Sequence, residues 1–246
     1  MAETVLKNVK IYLDGYDLSG DMNSATLSYS ADLLDNTVFG DKSKGRIAGL
    51  NNVEFTADGF WNADTTGRKI DNMAMSEIGT SDAVLSIIPQ GTALGNVAYF
   101  TKGLVGEYSP SGKIGEMFGY TMAAYGEAQP LVRGRLMEIG SLSTTVTATV
   151  RNLGTRKPTQ KLYASMHVLA LGAAGNKTRI SVQTASSSGF TSPTTALKFS
   201  QVASSQVAEF KTTASSTIDS WFRIRISTTA GSAGSGFTGA INVGIK

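Results

Sequence analysis

Apolar and polar residues alternate with a period of two through much of this 246-residue chain. The clearest case lies between Thr26 and Trp61. Leu27, Tyr29 and Ala31 alternate with Thr26, Ser28 and Ser30, and Val53, Phe55 and Ala57 alternate with Glu54, Thr56 and Asp58. Such alternation predicts half-buried antiparallel strands. Between the two runs lie an acidic, turn-prone segment (Asp32, Asp35, Asn36), then Thr37 to Asp41, and a charged loop with Lys42, Lys44 and Arg46. The chain returns through Ile47-Ala48-Gly49-Leu50. This predicts two strands joined by a long loop rather than by a tight hairpin.

The same reading places further strands at Val5–Leu13, Ala83–Ile88, Gly95–Lys102, Gly103–Ser109 (with a bulge at Gly106), Leu131–Ile139 and Ser143–Val150. Lys113–Gly126 reads as a strand pair or one bent strand, and Asp14-Gly15 as a turn. Arg68–Ile78 is the one helix candidate, with Ile70 and Met73 at helical spacing and Gly79 as a stop. Residues 152–158 read as a linker. Beyond it come six strand candidates, at 161–170, 177–184, 196–199, 208–212, 220–228 and 237–245, separated by Gly- and Ser-rich turns. In the fifth, Phe222, Ile224 and Ile226 share one face and are assigned to the core, with Trp221 left at an interface. The expected fold is all-β. A β-sandwich or barrel with one short helix and a long loop covers residues 1–154, and a β-sandwich of jelly-roll or immunoglobulin type covers 155–246.

Composition sharpens the division. The chain has 27 Gly, 5 Pro and no Cys, which favours many turns, excludes disulfides and thiolate metal sites, and suits a reducing cytoplasm. No apolar run approaches the roughly 18 residues of a membrane helix, and Met1-Ala2-Glu3-Thr4 does not open a signal peptide. The net charge of +3 conceals a split. Residues 1–150 carry 11 Lys and Arg against 17 Asp and Glu, a net of −6, whereas residues 151–246 carry 11 against 2, a net of +9. Halves of opposite sign point to two regions facing different partners.

Candidate chemistry is sparse. The single histidine, His167, sits in a strand pattern whose half holds only two acids, Glu209 and Asp219, and no G-x-S-x-G occurs. An ordinary hydrogen bond suits it better than a catalytic dyad. Asp14, Asp17 and Asp21, and the set Asp32, Asp35 and Asp41, fit turn roles as well as they fit a hard cation. Gly172 to Thr178 ends like a phosphate loop but has the wrong spacing and is flanked by two strands. Arg223 and Arg225 share a strand face and are candidates for an outer ionic contact, as are Arg133 and Arg135. No enzyme, cofactor or metal is expected.

The order of an early strand, a D-x-x-D-x-T-x-F-G-D segment (Asp32, Asp35, Thr37, Phe39, Gly40, Asp41), a basic loop, Ala48-Gly49-Leu50 and a strand ending in Gly59-Phe60-Trp61 resembles the tail tube (major tail) proteins of long-tailed phages over about residues 1–150. The resemblance implies a structural virion protein, assembled in the host cytoplasm, whose copies form stacked rings, hexameric in the family, around a DNA conduit. Asp41, Lys42, Lys44 and Arg46 would then lie in an inter-subunit loop. Asp32, Asp35, Glu54 and Asp58 would be candidates for an acidic lumen past which DNA slides, and the basic second region would sit outside among other virion proteins. No membrane is implied. Two alternatives remain: a trimeric decoration protein bound to a capsid through the basic region, and a receptor- or carbohydrate-binding module using Trp61, Tyr163 and Trp221.

Overall fold

A computed structural model describes residues 8–40, 42–62, 70–142, 149–155, 157, 159–172, 177–213, 219–228 and 236–246. Strand order along the chain is β1 (Lys10–Leu13), β2 (Tyr16–Asp17), β3 (Met22–Asp35) and β4 (Arg46–Phe60), then helix α1 (Ile70–Glu77). The first region continues with β5 (Ala83–Ile88), β6 (Val97–Ser111), β7 (Gly119–Gly126), β8 (Val132–Leu142) and β9 (Arg151–Asn152). The second holds β10 (Leu162–Leu171), β11 (Thr178–Ala185), β12 (Thr194–Lys198), β13 (Val207–Thr213), β14 (Trp221–Thr228) and β15 (Phe237–Ile245). The fold is all-β. The strand expected at Val5–Leu13 begins, among the described residues, at Lys10. Most of the one expected at Ser143–Val150 lies outside them, as do Arg68 and Lys69 of the expected helix.

Eleven strands form one antiparallel sheet, ordered β13-β10-β15-β8-β6-β5-β1-β2, from which β7, β4 and β3 branch at β6. The branch is readable in the register. Along the edge of β6 opposite β5, Val97–Phe100 pair with β8, whereas Gly103–Ser111 pair with β7. The ladder shifts between Val105 and Glu107, the bulge expected at Gly106. Such an extra residue bends a strand, and β6 thereby belongs to two diverging sheet portions. Among the described residues the curled sheet does not close into a barrel. Four strands, β12-β11-β14-β9, make a second sheet.

Three cores follow. Phe222, Ile224, Ile226, Ile180 and Val182 pack across from Met166, Val168, Ile241 and Val243, as alternation within β14 requires. Phe55, Leu13, Leu85, Met122 and the α1 residues Ile70 and Met73 fill the first region. Tyr12, Ile88, Ala98, Leu136 and Ala240 join the two. The large sheet itself runs through the proposed boundary at residue 154, because β8 pairs with β15 from Leu142–Phe237 to Gly134–Gly244. The β1–β2 turn also touches the second region. Asp14 and Gly15 both have positive φ, 44° and 83°, as a two-residue hairpin of this hand demands. A Cβ on Gly15 would come within 2.6 Å of the Val207 nitrogen.

Candidate assembly interface

The acidic segment expected to turn the chain is strand. β3 and β4 stay paired from Met22–Gly59 out to Asp35–Arg46, and the connecting loop is confined to residues 36–45. β4 has a second neighbour, β7, only between Glu54 and Phe60. From Tyr29–Val53 outward the two strands stand alone, a ribbon seven residues long on the β3 side. At about 3.4 Å per residue this arm reaches roughly 24 Å before its loop. The half-burial expected of Tyr29 and Ala31 is not met: both are exposed, while Val53, Phe55 and Ala57 at the arm's root are buried.

The root is tied down from the other end of the chain. Lys246 Nζ donates to the Tyr29 hydroxyl and to the Leu131 carbonyl, each at 2.8 Å, and lies 4.4 Å from the centre of the Tyr29 ring. Beside it runs a groove of about 650 Å³ lined by Val9, Ile11, Met22, Leu27, Ile87 and Leu131. The loop is closed at its neck by its own hydrogen bonds. Asn36 N–H donates to the Gly45 carbonyl (3.2 Å), Gly45 N–H to the Thr37 hydroxyl (3.0 Å), and Thr37 N–H to the Asp35 carboxylate (2.9 Å). The Thr37 hydrogen bonds lower the Asp35 pKa. Lys42, Lys44 and Arg46 are all exposed on or beside this loop, and Asp41 lies outside the described residues.

Large apolar side chains cover the arm. Leu33 is 60% exposed, Leu50 81% and Phe39 fully so, with Leu34, Val38 and Ile47 also in water. Directly opposed residues share a face, so Leu34 meets Ile47 on one side and Leu33 meets Ala48 on the other. Both faces are therefore apolar. Leu33 and Leu34 sit within a stretch that signals an acidic turn, so nothing in the sequence marks their exposed apolar role.

The four acidic residues expected at a lumen divide. Asp32, Glu54 and Asp58 fall on the same face by alternation, the one that leaves Phe55 and Ala57 inward, whereas Asp35 alternates onto the opposite face, paired with Arg46. Asp58 accepts a hydrogen bond from Thr121 at 2.8 Å. Ser28, Ser30, Thr56, Thr121 and the exposed Glu107 extend this surface across β3, β4, β7 and the distal half of β6. The Lys and Arg of those strands are Arg46 at the arm's end and Lys102 of β6, which is ion-paired with Asp82. The result is a hydroxyl-rich, predominantly anionic sheet face.

At the far end of β4 lies a second apolar group. Trp61 meets Phe118 edge-on at 5.7 Å, its indole N–H donates to Asp71 (3.0 Å), and its backbone N–H to the Phe118 carbonyl (2.9 Å). Around this pair Phe60, Met117 and Ile114 are exposed, Ile114 completely. On the second sheet, Arg223 and Arg225 project from β14 with Phe222, Ile224 and Ile226 beneath them. Arg223 donates to Gln183 at 2.9 Å and lies 4.3 Å over the Phe190 ring. Arg225 is exposed, as are Arg179 and Lys198 nearby in the register.

His167 is enclosed. Gly15 N–H donates to Nδ1 (3.4 Å), which leaves the proton on Nε2 to reach Ser86 Oγ at 2.8 Å. Ser86 Oγ lies 3.0 Å from Ser165 Oγ, to which Asn242 donates at 3.1 Å. Burial pulls the His167 pKa down to about 3. Among the described residues no three His, Asp or Glu side chains gather where a metal ion would fit.

No protein-family model matches the sequence, and no curated protein does. Solved structures that align with this chain include a chain of the native gene transfer agent virion, at 14% identity and TM-score 0.42, covering 52% of this chain and 98% of that one. The Dit protein of phage SPP1, described as a hub of the adsorption apparatus, is matched over 98% of this chain and 100% of its own at 11% identity and TM-score 0.42. A chain of the anti-feeding prophage baseplate is matched over 54% of this chain and 97% of its own, at 12% identity and TM-score 0.39.

Proposed function

We propose that the protein is a structural subunit of a phage tail, of the tail tube kind, that assembles with copies of itself into stacked rings around a DNA conduit. The observation that carries this reading is the unsupported β3–β4 arm. A two-stranded ribbon is marginal in water on its own, and contiguous exposed apolar surface of this extent marks a protein contact. Leu33, Leu34, Val38, Phe39, Ile47 and Leu50 are at least half exposed, and burial on a neighbour would stabilise each by about 1–3 kcal/mol. The role is mechanical: sheets meet across subunits, which removes the free edge of β3.

The anionic face of β3, β4, β7 and distal β6 fits the conduit. Asp32, Glu54, Asp58 and Glu107, with Lys102 beside them paired to Asp82, would repel phosphate, so that DNA passes without being held. The basic face around Arg223 and Arg225 fits an outer contact with other virion proteins. That same basic face favours the second reading, a decoration protein on an acidic capsid surface, for which trimers and salt-sensitive attachment are expected. Removing the arm separates the two. A chain with residues 31–51 replaced by Asn-Gly, followed by light scattering over a concentration series, should keep the fold and stop at the smallest particle where the complete chain goes on to assemble. Assembly undiminished by loss of the arm would contradict the tail reading.

A further inference from the structure

Resting on that reading, we infer that the arm of one copy docks on the far end of β4 in the next copy, against Phe60, Trp61, Ile114, Met117 and Phe118, so that the contact is head-to-tail. Two exposed apolar surfaces require cover, and they occupy opposite ends of the same strand: Ile47 and Leu50 near its start, Phe60 at its finish. Thirteen residues of strand separate Ile47 from Phe60, roughly 44 Å, so within one copy neither surface can cover the other.

The two ends complement each other. The arm carries flexible-length aliphatic groups around Phe39, with Lys42 and Lys44 exposed in its loop. The far end offers the Trp61–Phe118 pair, fixed by hydrogen bonds from Trp61 to Asp71 and to the Phe118 carbonyl. Aromatic anchors held in place in this way are the usual centre of a contact. Around them, among the described residues, Asp58, Glu107 and Glu116 are exposed against Lys113, an acidic rim for the basic loop. A surface that meets a different surface, rather than itself, propagates along one direction. Stacking of rings, not pairing of two arms, is the geometry this allows.

The test uses two complementary variants of the full chain. Phe39→Asp with Leu50→Asp spoils the arm, and Ile114→Asp with Met117→Asp spoils the far end; all four residues are exposed, and circular dichroism checks that both variants fold. Each alone should stop at the smallest particle, measured by mass photometry. Mixed, they should form a particle of twice that mass containing both variants equally, joined by the one intact arm and the one intact far end, with no growth beyond it. If the far-end variant assembles like the unmodified chain, or if both are defective but the mixture yields no doubled particle, the inference is overturned while self-assembly stands. If the unmodified chain never assembles, the tail reading itself falls.

Discussion

Single residues in this protein respond to pH in opposite directions. His167 is neutral and fully enclosed, with its pKa drawn down to about 3 by burial. Unfolded, it would titrate near 6.5. Its contribution is therefore complete above pH 6.5 and is lost as pH falls towards 3, because the unfolded chain takes up the proton first. Nitrogen chemical shifts should show His167 still neutral at pH 4.5, with the proton on Nε2; a protonated ring at that pH would contradict the Gly15 and Ser86 hydrogen bonds. Asp14 behaves the other way. Burial, then repulsion from Glu77, raises its pKa to about 6. A raised carboxyl pKa favours the folded state at low pH, and that contribution disappears as pH rises from about 4 to 6. Asp14→Asn keeps a residue that tolerates the positive φ and removes the buried charge. It should raise stability by roughly 1–3 kcal/mol at pH 7.5 and by little at pH 4, as measured by urea unfolding.

At the level of elements, the far end of β4 leaves no room for a larger residue. A Cβ on Gly59 would overlap the Asp21 carbonyl oxygen and the Tyr120 ring, whereas Gly20 faces open space. Gly59→Ala should cost about 2–3 kcal/mol and Gly20→Ala less than about 0.5 kcal/mol, by the same unfolding measurement. Much of the strand pattern was legible beforehand, for a local reason. Phe222, Ile224 and Ile226 alternate and are buried because a sheet lies across from them. Tyr29 and Ala31 alternate equally well yet stay in water, since alternation reports that a strand has two faces and not what covers them. The Asp32–Asp35 segment signals a turn, but cross-strand pairing of Leu33 and Leu34 with Ala48 and Ile47 overrides that local preference. Nothing local announces the β8–β15 pairing, which joins residues about a hundred positions apart. The acidic face was only half legible: charge composition pointed to it, but the assignment of Asp35 to the opposite face depends on the register.

For the whole molecule, the opposite charges of the two regions are laid out on separate surfaces. The anionic face spans the arm-bearing strands, and the exposed cations Arg179, Lys198 and Arg225 project from the second sheet. If the anionic face lines a conduit, Asp32→Lys and Glu54→Lys together should leave assembly intact yet make the assembled protein bind labelled duplex DNA at low salt, with affinity falling steeply as salt rises. Fluorescence anisotropy measures this; the same weak binding before and after substitution would place that face elsewhere. Replacing Lys42, Lys44 and Arg46 with Glu should abolish ring stacking, since the loop would then repel the acidic rim it meets. The most direct measurement is negative-stain electron microscopy of the purified protein at rising concentration, in low and high salt. The account predicts rings with a central hole and, as concentration rises, hollow tubes built from them. Discrete trimers or monomers at every concentration, binding to capsids in a salt-sensitive way, would contradict it.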